Sequence, residues 1–350
     1  MQIKDKFSMY HKKSFKILLF LLIIIGLSSW QGYEYYQRNV NYQETKLFFD
    51  TEVYVEAHGW GAKKTVTEAL GIMEELDSKL NKFSPHSEIY AINIHAGEQP
   101  VTVSELTFDV IEQSLKIADL SNGAFDPTIG PLAKLWKFGE RDSSDKFVPS
   151  QEQITKTIQL VDYKKVILNK EQKTVFLVKK GMSLDLGAIA KGYAVSKALE
   201  TFKSRNILSG MVSAGGNIYA IGKKDGGTPW HIGIRDPLNK GQIIGYVVLE
   251  NLTIDTSGNY ERFFTVDGIQ YSHILDPRTG YPSKEVSGCT VVTENPIMAD
   301  ALATAAFVLG PEKGLQLIEK NNAWGLIIDT DGKMELSDKM KEMFKPETPE

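Results

Sequence analysis

The sequence contains a single cysteine, Cys289, among 350 residues. One thiol cannot form an internal disulfide, which excludes both a disulfide framework and a zinc site built from several cysteines. We expect Cys289 to be a small buried hydrophobic residue. Because no cysteine follows the apolar run near the amino terminus, a lipid-modified cysteine is also excluded there.

Extremes of composition and charge are lacking as well. Apolar residues make up 42% of the chain and charged residues 24%, which are the proportions of an ordinary globular protein and exclude a disordered or fibrous class. The formal net charge is −4 and the first thirty positions carry +4, so the remainder carries −8. Such an acidic body lacks the broad basic surface that nucleic acid requires, and we predict no nucleic-acid partner.

Neither of the two common phosphate-binding glycine motifs occurs. Near Asp185 and Gly187 a predicted strand turns into a helix that continues to about Phe202, but the glycine spacing matches neither the dinucleotide fingerprint nor the phosphate loop. The amides at the start of such a helix, with a nearby carbonyl, can still meet an anionic ligand and its metal ion. Gly215 and Gly216 separate two predicted strands and indicate either a close backbone approach or a bulge.

The first thirty residues differ in kind from the rest. Five lysines accompany an uninterrupted apolar run, Ile17 to Leu27, a pattern typical of an export signal. The run is shorter than the roughly 20 residues of a comfortable membrane span. However, no small-x-small cleavage site follows it, and Trp30, Tyr33, Tyr35 and Tyr36 resemble an interfacial aromatic belt. We therefore predict an uncleaved anchor that holds the body at the extracytoplasmic face of the membrane, with a cleaved export signal as the alternative.

The rest of the chain interleaves helices and strands without a repeat. We assign residues 1–30 to the signal or anchor, 31–45 to a linker, 46–345 to one domain and 346–350 to a flexible tail. Lys46 to Ala57 alternates as a strand does, whereas Lys63 to Leu80 and Ser104 to Leu120 carry the apolar stripe of a helix. Further short strands follow between residues 166 and 257. The pattern predicts an α+β fold with mainly antiparallel sheets and packed helices.

The loop from Ser272 to Pro282 has the highest density of reactive groups. It places His273, Asp276 and Arg278 within six positions, and its Asp-Pro and Thr-Gly-Tyr-Pro steps favour tight turns. Arg278 either supports a phosphate or forms a salt bridge to Asp276 that holds the turn. His273 is either a reactive group or a satisfied core imidazole.

A helix is predicted to follow this loop. Asn295 is a typical cap, Pro296 a first-turn proline, and an alanine-rich run ends before Gly310. Residues four apart lie on one face, so Asp300 and Thr304 would present two hard oxygens that suit magnesium. Alternatively, Asp300 pairs with a lysine or arginine, and the Thr304 hydroxyl bonds back to the Asp300 carbonyl.

Taken together, several segments resemble the ApbE family, the FAD:protein FMN transferases. These segments are Gly123 to Pro131, Ser183 to Ala194, Ala214 to Gly222, Asp255 to Tyr260, Ser272 to Pro282 and Ala299 to Thr304. The likeness spans about Lys46 to Ile328 and implies an ApbE-like (T-fold-like) flavin transferase domain over residues 46–345. Enzymes of the family cleave the pyrophosphate of FAD, pass FMN to a threonine hydroxyl of an acceptor protein and release AMP. The chain departs from many members in having no lipid-anchored cysteine.

The resemblance also implies roles for individual residues. Asp300 and Thr304 would be the side-chain ligands of Mg²⁺ with the carbonyl of Ala188 as a third, and His273 would be the catalytic base. The residues that would line the FAD site are Asp185, Lys191, Ile274, Phe83, Ser84 and Ala124. A pyrophosphate split needs a divalent ion, a base near the incoming hydroxyl and alignment, which agrees with this set. The acceptor would belong to a membrane electron-transfer complex.

Two other functions are compatible with the same residues. With water as the nucleophile, the chain would be a magnesium-dependent FAD pyrophosphatase that yields FMN and AMP. Without turnover, it would be a membrane-tethered flavin-binding protein.

Overall fold

The computed structural model describes residues 2–138, 147–224 and 227–347, without the side chains of residues 2–14, 34 and 36–39. The Tyr36 side chain of the predicted aromatic belt and residues 348–350 of the predicted tail lie outside this description. The helices are α1 (Gln2–Asn39), α2 (Ala62–Leu80), α3 (Glu88–Ile94), α4 (Glu105–Leu120), α5 (Gly130–Leu135), α6 (Gln151–Thr157), α7 (Ala190–Ser204), α8 (Pro296–Leu309), α9 (Pro311–Lys320) and α10 (Asp338–Met343). The strands are β1 (Asn41–Phe48), β2 (Thr51–His58), β3 (Val101–Thr102), β4 (Val166–Asn169), β5 (Thr174–Leu177), β6 (Ser209–Ala214), β7 (Asn217–Ile221), β8 (Trp230–Arg235), β9 (Ile243–Leu249), β10 (Leu252–Gly258), β11 (Phe263–Val266), β12 (Ile269–Ser272), β13 (Val286–Thr293), β14 (Trp324–Asp329), β15 (Met334–Leu336) and β16 (Phe344–Pro346).

A large antiparallel sheet organises the fold. Within the described ranges it has eight strands in the order β1-β2-β6-β7-β10-β13-β14-β15. Helices α2, α7 and α8 pack together on one face, and the main hydrophobic core lies between them and the sheet. This arrangement confirms the predicted α+β fold with mainly antiparallel sheets.

The opposite face of the large sheet is covered by a smaller antiparallel sheet, β16-β9-β8. The two sheets enclose a second core that includes Trp230 and Val247. Successive residues of β13 alternate between the two cores: Cys289 and Val291 belong to the first and Val292 to the second. Cys289 is therefore the buried hydrophobic residue that the sequence predicts.

An aromatic cluster holds the loop that carries His273. Trp136 follows α5 and packs against Phe264 and Tyr271 of the β11–β12 hairpin, with ring centroids 6.3 and 5.6 Å away. Its indole N–H donates a 2.9 Å hydrogen bond to the carbonyl of Gly280. The buried Trp136 side chain therefore holds the loop after β12 in place.

Local structure differs from the prediction at the start of the body. Lys46 to Ala57, predicted as one strand, belongs to the hairpin of β1 and β2, whose turn contains Phe49 and Asp50 with φ of 54° and 58°. The alternation of apolar residues continues across this turn, so periodicity does not reveal it. Residues 31–45, predicted as a linker, comprise the end of α1 and part of β1.

The glycine pair forms the turn between β6 and β7. Gly215 and Gly216 have φ of 55° and 98°, and Ala214 pairs with Asn217 across the turn. A Cβ on Gly215 would lie 2.8 Å from the Thr51 side chain, so a close approach, one of the two predicted alternatives, occurs here.

Helix α1 contains one segment, Phe15–Tyr33, that is long and apolar enough to cross a membrane. It lies near the amino terminus and none of it is buried in the protein. Its length and composition fit either an anchor or a signal sequence.

Candidate active site

Helix α8 carries Asp300 into a buried position against the start of α7. Asn295 caps α8 as predicted, since its side chain accepts the N–H of Ile297 at 3.0 Å. Asp300 is only 2% exposed; its Oδ1 accepts from the Lys191 ammonium at 3.2 Å and its Oδ2 from the Gly192 N–H at 2.8 Å. The alternative that Asp300 pairs with a lysine is thus confirmed. The lysine concerned is itself one of the predicted site residues.

Gly192 makes this contact possible. A Cβ at position 192 would lie 2.3 Å from the carbonyl oxygen of Pro296 and 2.8 Å from the Cβ of Asp300. Helices α7 and α8 therefore approach this closely only because residue 192 has no side chain.

Replacing Gly192 by alanine is expected to lower the free energy of unfolding by about 1–3 kcal/mol, because the added methyl group forces the two helices apart. The matched control is Gly71→Ala in α2, where a Cβ would meet nothing within 4 Å. Alanine has the higher helix propensity, so this control should raise the stability by up to about 1 kcal/mol. Chemical denaturation of both variants measures the difference; equal effects would contradict the close approach.

The first turn of α7 leaves a carbonyl oxygen unused. In a regular helix the N–H of Gly192 would bond to the carbonyl of Ala188, four residues earlier, but here it is directed at Asp300. The Ala188 carbonyl accepts no hydrogen bond from the part of the chain that the structure describes. The start of α7 thus has an unused carbonyl oxygen, and the facing helix α8 has a buried carboxylate. Oxygen donors of this kind suit a hard cation.

Thr304 lies one turn after Asp300 and faces β10. Its hydroxyl is 3.2 Å from the hydroxyl of Ser257, and no bond from Thr304 back to the Asp300 carbonyl occurs within the described ranges. Two residues earlier on the same face of β10 is Asp255, which is also buried. Burial, and then the negative charge of Asp300, raise the pKa of Asp255 to about 7. Two buried carboxylates and one ammonium therefore share this region.

Asn217 adds an unsatisfied amide to the same region. It is fully buried, and neither its Oδ1 nor its Nδ2 finds a hydrogen-bond partner among the described residues. The Asn217 amide lies close enough to Asp255 to lower the pKa of that residue slightly. Its position does not meet the geometric criteria of a hydrogen bond to Asp255. Buried amides without partners are rare and costly, so this polar group fits a site that receives a ligand better than a closed core.

His273 has a defined tautomer and an unusually low pKa. Its Nδ1 is 3.1 Å from the carbonyl oxygen of Arg262, and because a carbonyl can only accept, Nδ1 carries the proton and Nε2 keeps its lone pair. Burial, followed by the positive charge of Arg262, lowers the pKa of His273 to about 4. Lys191 lowers this pKa further while Asp185 raises it. The imidazole is therefore neutral at neutral pH and close to two other predicted site residues.

Asp185 is held at the strand-to-helix transition before α7. Its N–H donates to the carbonyl of Pro127 at 2.8 Å, and its Oδ1 accepts from the N–H of Gly187 at 3.0 Å. Its Oδ2 forms an ion pair with the ammonium of Lys82. Burial alone would raise the pKa of Asp185, but the contact with Lys82, the hydrogen bond from Gly187 and the charge of Arg262 together lower it. The carboxylate is therefore charged.

The remaining residues predicted to line the FAD site lie either in an exposed turn or in the buried main core. Phe83 and Ser84 are in the turn that follows Lys82, and the Phe83 ring is exposed, with the Lys82 ammonium 4.9 Å from its centroid. This turn is therefore beside Asp185. Ile274 and Ala124 are buried in the main core, so they can meet a ligand only through backbone atoms. The N–H of Ile274 donates no hydrogen bond to any residue described, which leaves it available next to His273.

Arg278 does not point at this cluster. Its Nε and one terminal nitrogen donate to the two carboxylate oxygens of Asp276 at 2.8 and 2.9 Å. The salt bridge that holds the turn is thus the confirmed alternative for Arg278.

Sequence reasoning missed several polar groups of the site. They are Lys82, Asn217, Asp255, Ser257 and Arg262. Asn217, Asp255 and Ser257 lie within segments that carry the family resemblance. Their place in those segments could have marked them as candidate site residues. Lys82 and Arg262 lie in loops, where no periodicity marks them.

Fold and site together define an α+β protein with a buried cluster of charged and polar groups where two helices meet one large antiparallel sheet. The chain belongs to the ApbE family, whose family model matches residues 48–327. The FAD:protein FMN transferase of Treponema pallidum is 33% identical over 324 residues, covering 87% of this chain and 88% of that protein. That of Klebsiella pneumoniae is 37% identical over 230 residues, covering 65% and 70%.

Solved structures agree with this assignment. The crystal structure of the ApbE protein from Thermotoga maritima matches with a TM-score of 0.82 at 35% identity, covering 87% of this chain and all of that one (100%). The flavin transferase ApbE from Vibrio cholerae matches with a TM-score of 0.78 at 29% identity, covering 87% and 99%.

Proposed function

We propose that this protein is an FAD:protein FMN transferase that moves FMN from FAD to a threonine hydroxyl of an acceptor protein and releases AMP. The observation that carries the proposal is the meeting of Asp185 and Lys191 with His273 and Asp300, which come from three separate segments of the chain. The relatives named above carry this activity in their names, and they align over most of the chain.

The chain's own groups suit an in-line phosphoryl transfer. The Nε2 lone pair of His273 accepts the proton of the attacking hydroxyl while its Nδ1–H stays bonded to the Arg262 carbonyl. The new bond forms between the hydroxyl oxygen and the FMN phosphorus, the pyrophosphate P–O bond breaks, and AMP leaves with the electron pair. The N–H of Ile274 is available to orient the phosphates, and the Lys191 ammonium, which contacts Asp300 at 3.2 Å, would add positive charge beside them.

A Mg²⁺ ion fits the residues at the start of α7 and on the facing side of α8. Asp300 supplies a carboxylate, Thr304 a hydroxyl and Ala188 an unused carbonyl, all hard oxygens. The ammonium of Lys191 already occupies the cation position next to Asp300 Oδ1 at 3.2 Å. A bound Mg²⁺ ion would neutralise charge on the pyrophosphate oxygens.

Incubation of the purified protein with FAD, Mg²⁺ and a threonine-bearing acceptor tests the function. The expected result is a covalent FMN adduct on the acceptor, seen by mass spectrometry, with one AMP released per adduct. Free FMN with an unmodified acceptor would identify an FAD pyrophosphatase. Absence of any FAD cleavage would leave a flavin-binding protein.

The acid limb of kcat/KM for FAD is expected well below the ordinary histidine range. The His273 base works unprotonated, and its pKa is lowered from 6.5 to about 4, so activity should be lost only as the pH falls towards that value. Initial rates across the acidic range measure this. An acid limb centred near 6.5 would mean that His273 is not the base, or that its ring is solvated in the working enzyme.

The proposed location is the extracytoplasmic face of the membrane, with α1 as an anchor or a cleaved export signal. The span Phe15–Tyr33 supports this location, and the lysines that precede it would remain inside. The proposed acceptor is a subunit of a membrane electron-transfer complex. A covalent flavin on a co-expressed subunit of this kind is the corresponding observation.

A further inference from the structure

One end of the large sheet lies where α1 joins the body. Helix α1 ends at Asn39 and β1 begins at Asn41, so a single residue, Val40, separates them. The Val40 carbonyl accepts the N–H of Gly59 at 2.6 Å, beyond the last residue of β2. His58 at the end of β2 pairs with both Asn41 and Ser209, the first residue of β6. We call this end the anchor end, formed by Val40, Trp60, Lys63, Lys64, Lys203 and Leu208.

Two large apolar side chains are exposed at the anchor end. Trp60, in the turn between β2 and α2, is 64% exposed, and Leu208, just before β6, is 81% exposed. They flank adjacent strands, which lie about 4.8 Å apart. Tryptophan next to an aliphatic residue is the composition typical of a surface that enters a membrane interface.

The charged residues of the anchor end are basic. Lys63 and Lys64 are exposed in the first turn of α2, where the helix dipole disfavours positive charge, and Lys203 is exposed in the last turn of α7. None of the three forms an ion pair with a described residue. The neighbouring carboxylate of Glu68 is already bonded by Arg205 through two 2.6 Å hydrogen bonds. A net positive, partly apolar surface therefore surrounds the point where α1 enters the body.

We propose that the anchor end rests on the membrane, with Trp60 and Leu208 in the interfacial layer and the lysines against anionic lipid phosphates. The inference rests on the membrane anchor of the proposed function. The distances agree with contact. Asn39 lies six residues after Tyr33 in the helix, a rise of about 9 Å, and the headgroup layer is about 5–7 Å thick. With only Val40 between helix and strand, the body cannot move far from that layer.

Site-directed fluorescence on the full chain in lipid nanodiscs tests this contact. Cys289 is fully buried, so a cysteine introduced at an exposed position is the reactive thiol. Leu208→Cys and Trp60→Cys carry the probe at the anchor end. The matched control is Leu47→Cys. Leu47 is 76% exposed and lies six residues after Asn41, the first residue of β1, which places it about 20 Å from the anchor end.

Nitroxide-labelled anionic lipid is expected to reduce the fluorescence at positions 208 and 60 by about twofold or more, and to leave position 47 nearly unchanged. Charge reversal by Lys63→Glu with Lys64→Glu should weaken the quenching at 208. Equal quenching at 208 and 47, or quenching at 47 alone, would overturn the proposal.

Flotation of the same proteins with lipid separates this inference from the anchor on which it rests. Flotation of the wild type together with unequal quenching supports the contact. Flotation with equal quenching overturns the contact alone and leaves the anchor in place. A full chain that does not float overturns the anchor, and the contact with it, whereas FMN transfer to an acceptor is measured independently of both.

Discussion

His273→Ala is expected to lower kcat for FMN transfer by about 10²–10⁴-fold, the contribution of a positioned general base. The physical reason lies in the tautomer. With Nδ1–H bonded to the Arg262 carbonyl and a pKa of about 4, the ring presents Nε2 as a free base throughout the neutral range. The measurement is the rate of adduct formation on the acceptor, followed by mass spectrometry at saturating FAD.

His231→Ala is the matched control for this experiment. His231 is an exposed histidine on β8 whose ring stacks on Tyr246, with centroids 5.1 Å apart. Its removal should leave the transfer rate unchanged. Added imidazole should partly restore the rate of His273→Ala, which a merely structural histidine would not allow. Wild-type turnover by His273→Ala would refute the assignment of the base.

Asp300→Asn is expected to abolish the stabilisation of the fold by Mg²⁺ as well as the transfer reaction. At a Mg²⁺ concentration about 100-fold above its Kd, binding to the wild type should add about 2.7 kcal/mol to the free energy of unfolding. The variant loses the only charged ligand of the proposed set. It also leaves the Lys191 ammonium, partly buried, without the carboxylate that it contacts at 3.2 Å. Removal of one partner from such a pair lowers the stability of the metal-free protein by about 1–3 kcal/mol.

Asp109→Asn provides the comparison for Asp300→Asn. Asp109 is another carboxylate that is tied to α7, through a 2.8 Å hydrogen bond from the Tyr193 hydroxyl, but it lies outside the site cluster. This variant should keep the full stabilisation by Mg²⁺ in thermal unfolding. If Asp300→Asn is stabilised by Mg²⁺ as strongly as Asp109→Asn, the cation binds elsewhere.

The elements of the site that depend on local rules could be predicted from the sequence. The cap at Asn295, the first-turn proline and the spacing of Asp300 and Thr304 follow from helix geometry, and all are present. The antiparallel α+β class followed from interleaved periodicities. The turn at Phe49 and Asp50 was missed because two non-glycine residues with positive φ carry no strong sequence signal.

The elements that depend on tertiary contact could not be predicted in this way. The pairing of Lys82 with Asp185 joins residues 103 positions apart, and the contact of Lys191 with Asp300 joins residues 109 apart. The contact of Asp300 with Lys191 and the Gly192 N–H depends on the close approach of α7 to α8 at Gly192, which no local pattern encodes. The family resemblance implies roles for Asp185, Lys191 and Asp300, and the structure supplies their spacing.

Helix α7 runs from the candidate active site to the anchor end. It begins beside Asp300 and ends beside Leu208, and its 15 residues span about 22 Å. If the body sits on the bilayer as proposed, with α7 perpendicular to it, the reacting phosphorus lies roughly 20 Å above the lipid. A substrate threonine must then reach that height, which favours acceptors that display it on a projecting domain over those that carry it at the mouth of a transmembrane helix.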